Sequence, residues 1–251
     1  MFEGKRYFAI FMLLTLSIHV FSQHYQIPSI KKTNGVFQLI VKEKPFLVLG
    51  GELSNSATSD AEMMKGIWGK LKDMNLNTVL APVYWELIEP QESKFDFTLV
   101  DAMINQAREK DLHLVLLWFG TWKNSMSCYV PQWIKEDYKR FPRTLDANGK
   151  PSEIVSPFCE DALNADIEAF CELMKHIKSM DEKEQTVIMI QVENEIGQLP
   201  DARDYSTLAN KAFQADVPKE LMGYLSKNKK NLLPSIENLW ASNGYKQKGN
   251  W

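Results

Sequence analysis

Three continuously apolar runs, "NTVLAPVYW", "HLVLLWF" and "TVIMIQV", alternate with segments whose apolar residues recur at helical spacing. The runs have the character of strands buried on both faces, and the segments between them that of amphipathic helices. "SDAEMMKGIWGKLKDMN" opens on Ser59 and Glu62, the spacing of a capping box, and turns Met64, Ile67, Trp68 and Leu71 to one side. "TLVDAMINQAREKD" has Thr98 as its expected N-cap, with Met103, Ile104 and Ala107 inward. "SPFCEDALNADIEAFCELMKHIKSM" carries Pro157 in its first turn, and Leu163, Ile167, Phe170, Met174 and Ile177 form its expected buried stripe. Strand, helix, strand, repeated with buried strands, means a parallel sheet with helices outside it.

Upstream, "VFQLIVKEKPFLVLGGEL" predicts two short strands joined at Lys42–Lys44, the second over Phe46–Leu49. A long insertion rich in Trp, Tyr and Pro runs from Gly120 to Val155. Beyond Leu199 the chain turns polar and helical in short pieces, and no fifth strand of the sheet is expected before Trp251. Two architectures fit: an open doubly wound sheet or a (β/α)8 barrel. The first places a Gly-rich phosphate loop after an early strand, whereas here that strand ends "GGELSNS". Chemically rich residues instead recur at the strand ends: Glu52, then Tyr84, Trp85 and Glu86, then Trp118, then Asn194 and Glu195. In a barrel such ends converge on one mouth where the active site is built, so the expected fold class is α/β, a (β/α)8 TIM barrel.

The bulk properties narrow the partners. With 29 basic and 32 acidic residues the net charge is −3, which leaves no basic field for nucleic acid. The start of the chain has Lys5 and Arg6, then an apolar run from Tyr7 to Val20, then the small residue Ser22. That order matches a secretory signal peptide over 1–22, and the run is shorter than the roughly 20 residues a bilayer span needs. The expectation is export to the periplasm or outside of a bacterial cell, with no stable membrane span after cleavage and the mature domain covering 23–251. Cys159 and Cys171 sit on one helix roughly 18 Å apart, beyond disulfide reach. A bridge would therefore need Cys128, and buried free thiols are expected. His19, His24, His113 and His176 show no paired metal spacing, so neither a metal nor another cofactor is expected.

Three stretches carry a resemblance: "VYWELIEPQESKFDF", "LLWFGTWKNSMSCYVPQWI" and above all "IQVENEIG". Together they resemble glycoside hydrolase family 35, the retaining β-galactosidases of the (β/α)8 group, and look closest to an exported bacterial branch linked to plant-polysaccharide breakdown. The resemblance runs from about Pro45 to Trp251. "VYWELIEP" departs from the family, most of which has a Trp–Asn pair before a His–Glu–Pro, and this leaves substrate detail open. The implied partner is a β-galactoside or an oligosaccharide of a plant polysaccharide.

The resemblance implies that Glu195 is the general acid/base and that Asn194 hydrogen-bonds the sugar 2-hydroxyl. Retaining enzymes use two carboxyl groups about 5–5.5 Å apart, one delivering a proton and one attacking the sugar. Alternate residues of a regular strand share a face, which would point Glu193 the same way as Glu195. Glu193 is then either a carboxylate that positions Glu195 or perturbs its pKa, or a buried partner of an Arg or Lys. Glu52 and Glu86 are sugar-hydroxyl binders or rim salt bridges, and Tyr84, Trp85 and Trp118 a platform under the sugar or packing at the mouth. Trp122, Lys123 and Asn124 line the pocket or fix the long loop. In the family the nucleophile ends the seventh strand. Four strands already occupy the chain to Val192, and the acids beyond include Glu220 and Glu237 in helical, polar surroundings. The chain therefore reads as the first four βα units of a longer catalytic domain, without its nucleophile and inactive alone. Competing readings are another retaining barrel glycosidase (β-glucosidase or β-mannanase type), a non-catalytic galactoside-binding protein, and a nucleotide-dependent α/β enzyme.

Overall fold

Local sequence decides the first hairpin. Asn34 and Gly35 both have positive φ, 52° and 85°, the pair of angles that a tight two-residue hairpin turn requires. They join β1 (Ser29–Thr33) to β2 (Val36–Val41), and β3 (Lys44–Pro45) completes an antiparallel meander. The computed structural model describes residues 26–124, 126–199 and 201–251, and the expected signal peptide, with His19 and His24, lies outside them. The chain forms two compact units, the first ending at Phe46 and the second running from Leu47 to Trp251.

The second strand predicted for "VFQLIVKEKPFLVLGGEL" does not form over Phe46–Leu49. Pairing stops at Pro45, and Leu47 is 77% exposed. Asn77 takes the place of a ladder: its Nδ2 donates to the Leu47 carbonyl and its Oδ1 accepts from the Leu49 amide, both at 2.8 Å. The sheet begins at β4 (Gly50–Glu52).

In the second unit, β4 is followed by α1 (Ala61–Asp73), β5 (Thr78–Tyr84), the short α2 (Trp85–Ile88), α3 (Thr98–Glu109) and β6 (His113–Phe119). Within the long insertion lie α4 (Gln132–Glu136) and the hairpin of β7 (Arg143–Leu145) and β8 (Pro151–Val155). Then come α5 (Glu160–Asp181), β9 (Val187–Val192) and three further helices, α6 (Thr207–Gln214), α7 (Lys219–Lys227) and α8 (Pro234–Ser242). The sheet order is β4-β5-β6-β9, all parallel. Among the described residues no strand joins this sheet after β9. A parallel sheet served by these helices fits a barrel-type fold of the glycosidase kind.

Alternation along the strands sorts side chains onto two faces. Val79, Ala81 and Val83 of β5 and Leu114, Leu116 and Trp118 of β6 pack with Trp68, Met103, Ile104, Ala107 and Leu173 from α1, α3 and α5. The opposite face carries cross-strand rows: Glu52, Leu80, Val115 and Met189, then Pro82, Leu117 and Gln191, then Tyr84 and Phe119. The insertion is anchored by buried Val130, Ile134, Phe141 and Val155. Buried Arg143 donates to the carbonyls of Ile134, Lys135 and Phe141.

Helix starts differ in detail from expectation. The cap of α1 is Asp60, not Ser59: the Asp60 carboxylate accepts from the amides of Glu62 and Met63 at 2.8 and 3.0 Å, while the Ser59 hydroxyl turns back to the Ser56 carbonyl. Thr98 is the first residue of α3, and Asp96 accepts from its amide. An N-cap carboxylate typically contributes about 1 kcal/mol. Asp60→Ala should therefore lower the urea midpoint by that equivalent and Asp60→Ser should recover most of it. An unchanged midpoint in the alanine variant would show that the first turn of α1 draws nothing from this cap.

The stripe predicted for α5 is rotated. Its buried residues are Ala162, Asp166, Ala169, Leu173, Ile177 and Asp181, whereas Leu163 is 56% and Ile167 50% exposed. Small residues at 162 and 169 bring the helix close to the sheet, and Asp166 is carried inward with them. All three cysteines are free; Cys159 is buried and Cys171, against expectation, is exposed.

Candidate active site

The strand β9 ends at Val192, and the two carboxylates after it part company. Glu193 has φ of 60° and Glu195 of 38°, left-handed values that few non-glycine residues adopt. The two-residue period of a strand stops there, so Glu193 and Glu195 do not share a face as regular alternation would have it. Left-handed backbone of this kind, held by surrounding contacts, is common at functional sites.

Glu193 turns toward the helix layer. It accepts from the Trp122 amide at 2.8 Å and shares a hydrogen bond with the Asp166 carboxyl from α5. Asp166 in turn accepts from Trp118 Nε1 at 2.8 Å and from the Thr121 amide at 2.6 Å. Burial, with the charge of Asp166 beside it, pushes the Glu193 carboxyl up to about 9. Its buried partner is thus another carboxyl and not an Arg or Lys. Asp166 escaped sequence reasoning; its one visible signal was an acid at helical spacing between Ala162 and Ala169.

Glu195 remains open, with 66% of its side chain exposed. Its Oε2 lies 3.6 Å from Lys123 Nζ and 3.3 Å from Asn124 Nδ2. Lys123 is buried and its ammonium sits 5.3 Å from the ring centre of Phe119, so Glu195 is bound to the sheet face that carries Tyr84 and Phe119. Main-chain contacts fasten the segment. Trp122 Nε1 donates to the Glu195 carbonyl at 3.0 Å, the Asn194 amide to the Trp122 carbonyl at 3.3 Å, and Asn194 Nδ2 to the Lys123 carbonyl at 3.1 Å. Asn194 Oδ1 accepts from Gln191 Nε2 at 2.7 Å. Residues 122–124 fix the loop, and Lys123 and Asn124 also reach the Glu195 carboxylate, while of the three only Trp122 lines the cavity on the Glu193 side.

The other predicted residues are distributed more widely. Tyr84 is buried, hydrogen-bonded through its hydroxyl to Thr58 and stacked on Tyr129, and burial raises its pKa. Trp85 and Trp118 are both buried in the helix-layer core. Trp85 opens α2, where the chain leaves the strand, and Trp118 alternates with Phe119 onto the helix side. For these two, packing and not a platform is what the burial describes. Glu86 pairs with Lys135 at 2.5 Å, the rim salt bridge. Glu52 is exposed at the end of the edge strand β4, in the row of Leu80 and Val115. His113 meets the Gln185 carbonyl, and His176 packs on Phe97 beside Asp101. Among the described residues no three His, Cys, Asp or Glu side chains gather as a metal site would require. A cavity of about 470 Å³ opens on the Glu193 side, lined by Thr121, Trp122, Asp166, Ile196 and Arg203 among others.

A parallel α/β sheet with an open carboxylate at its strand ends, held by a lysine and an asparagine, fits the barrel-type fold of the glycoside hydrolases. Within that class, the family described as Beta-galactosidase, glycoside hydrolase family 42, matches residues 55–247, and the chain belongs to it. No curated protein matches the chain. The chain is thus a β-galactosidase-type glycoside hydrolase, and the family found is 42; the match does not single out family 35. Such a hydrolase implies a galactoside substrate. No helix among the described residues is long and apolar enough to cross a membrane.

Proposed function

We propose that this is a retaining exo-β-galactosidase in which Glu195 is the general acid/base, acting on β-galactosides of plant-polysaccharide origin outside the cytoplasm of a bacterium. One observation carries the reading: Glu195 is an exposed carboxylate at the strand ends whose main chain is tied by Trp122 and whose oxygen is held by Lys123 and Asn124. A proton donor must sit at a fixed point relative to the glycosidic oxygen, and fixing it in advance is a large part of its effect. Asn194 would bind the 2-hydroxyl, an interaction that strengthens in the transition state, by exchanging its bond with Gln191 for one to the sugar. Glu52 and Tyr84, on the same sheet face, would border the sugar. Glu220 and Glu237 lie on α7 and α8, and neither is assigned as the nucleophile; finer kinship with family 35 also rests on the "IQVENEIG" stretch.

The test is a panel of aryl β-galactosides, β-glucosides and β-mannosides, assayed with the 251-residue chain and with any longer polypeptide that contains it. Galactoside turnover with retention, read by proton NMR of the first anomer released, is expected only from a polypeptide that also supplies the nucleophile. Turnover by the 251-residue chain alone would show that the chain supplies its own nucleophile. Preference for a glucoside or mannoside would replace the substrate class. Calorimetric galactoside binding without hydrolysis in every form would make this a binding protein.

A further inference from the structure

Buried Asp166 and half-buried Glu193 are not used by that mechanism, and their surroundings are built. Both oxygens of Asp166 already accept N–H groups, Oδ1 from Trp118 Nε1 and Oδ2 from the Thr121 amide. Glu193 Oε2 accepts from the Trp122 amide. Two carboxylates cannot face each other across a hydrogen bond without a proton between them. Burial raises the Glu193 carboxyl and makes it the one that keeps the proton, while both oxygens of Asp166 accept N–H groups. Gly120 leaves the space for this arrangement, since a Cβ there would come within 2.5 and 2.7 Å of the Asp166 oxygens.

We infer that Asp166 and Glu193 form a singly protonated latch that ties α5 to the loop after β6 and so positions Asn194 and Glu195 through Trp122. Trp122 is the connecting piece: its amide is held by Glu193 and its indole N–H holds the Glu195 carbonyl. Glu193 is a positioning residue, reaching Glu195 only through that indole. The other charged groups of the same cavity are otherwise engaged. Arg203 bonds the Asp204 carbonyl and Asn210 and lies over Tyr205 and Phe213. Asp204 accepts from Ser156, Ser206 and the Leu145 amide. The Cys159 thiol turns to the Arg140 carbonyl. Lys123 lies with Glu195. The latch is independent of the proposed function, and only its effect on turnover rests on Glu195 being the acid/base.

The latch is testable on the chain itself. The Glu193 pKa is raised from 4.5 to about 9, so between those values the native state keeps a proton that the unfolded chain has lost. The stabilisation is full below the unfolded value and is lost as pH rises through the folded one. Glu193→Gln keeps an acceptor for Trp122 and a donor for Asp166 but cannot ionise. The ratio of the wild-type unfolding constant to that of Glu193→Gln should rise about tenfold per pH unit between the two pKa values. Asp166→Asn removes the neighbouring charge and should end that rise at lower pH. A ratio that stays flat, or a rise unaffected at 166, overturns the latch. Infrared spectroscopy of the wild type avoids any folding defect. A protonated carboxylic-acid band should be present at neutral pH, vanish above about pH 9, and be missing in Glu193→Gln; its absence in the wild type overturns the proposal. In an active polypeptide, Glu193→Leu should cut kcat more than tenfold with KM little changed, and Glu193→Gln should restore it. Equal losses would show that Glu193 acts as an ion and overturn the latch. No hydrolysis by any form would count against the proposed function while leaving the unfolding and infrared results to judge the latch.

Discussion

Glu195→Gln is expected to lower kcat/KM for galactosides with alkyl or sugar leaving groups by about 10²–10⁴-fold, and for those with strongly activated aryl groups far less. A sugar alkoxide is a poor leaving group and needs a proton as the bond breaks, whereas an acidic phenol departs largely unaided. The ratio kcat/KM is the quantity to measure, because it reports cleavage of the glycosidic bond and excludes the later attack by water, in which the same carboxyl acts as base. Glutamine keeps the size and one acceptor of Glu195, so the contact with Asn124 and the main-chain bond from Trp122 have no reason to change. Equal losses on both substrate types would argue that Glu195 holds the sugar or the loop and does not protonate the leaving group.

The largest expected effect on stability comes from adding one methyl group. At Gly120 a Cβ would overlap Trp118 Nε1 and lie 2.5 and 2.7 Å from the two Asp166 oxygens. None of these is the free end of a flexible side chain; all three belong to the hydrogen-bonded group that joins β6 to α5. Relieving the overlap must break the indole–carboxylate bond or push α5 off the sheet. Overpacking together with the loss of buried hydrogen bonds should cost Gly120→Ala on the order of 3 kcal/mol, read as a lower urea midpoint. Gly66, on α1, is the control, because a Cβ added there would meet nothing within 4 Å. Gly66→Ala should be neutral or slightly stabilising, since alanine is the better helix former. An unchanged midpoint at 120 would mean that the Asp166 group yields freely.

The match to family 42 agrees with the class of enzyme that "IQVENEIG" suggested, a resemblance legible because it lies in consecutive residues. Strand and helix placement was legible for the same kind of reason. β5, β6 and β9 occupy the three apolar runs. β5 and β6, paired on both sides, are buried and so must be apolar over their length. β9, paired only with β6 among the described residues, is largely exposed, against the expectation of burial on both faces. Where several acceptors compete within a few residues, spacing was a weaker guide, and Asp60 displaced Ser59 as the cap of α1. On α5 two apolar stripes lie side by side. The helix buries the one with the smaller residues, Ala162 and Ala169, because close approach to the sheet outweighs side-chain greasiness there.

Local pattern, a matter of neighbours in the chain, was enough to specify a parallel α/β sheet with carboxylates at its strand ends. Which way each of those carboxylates points is a different kind of fact. Glu193 and Glu195 separate because residues 121–124, some 71 positions earlier in the chain, hold the backbone of the strand tip in left-handed angles. Trp118 and Trp85 turn inward, and Asp166 meets Glu193, only once α5 has packed on the sheet. Periodicity carries no information about such contacts, since they join groups that share space and not sequence.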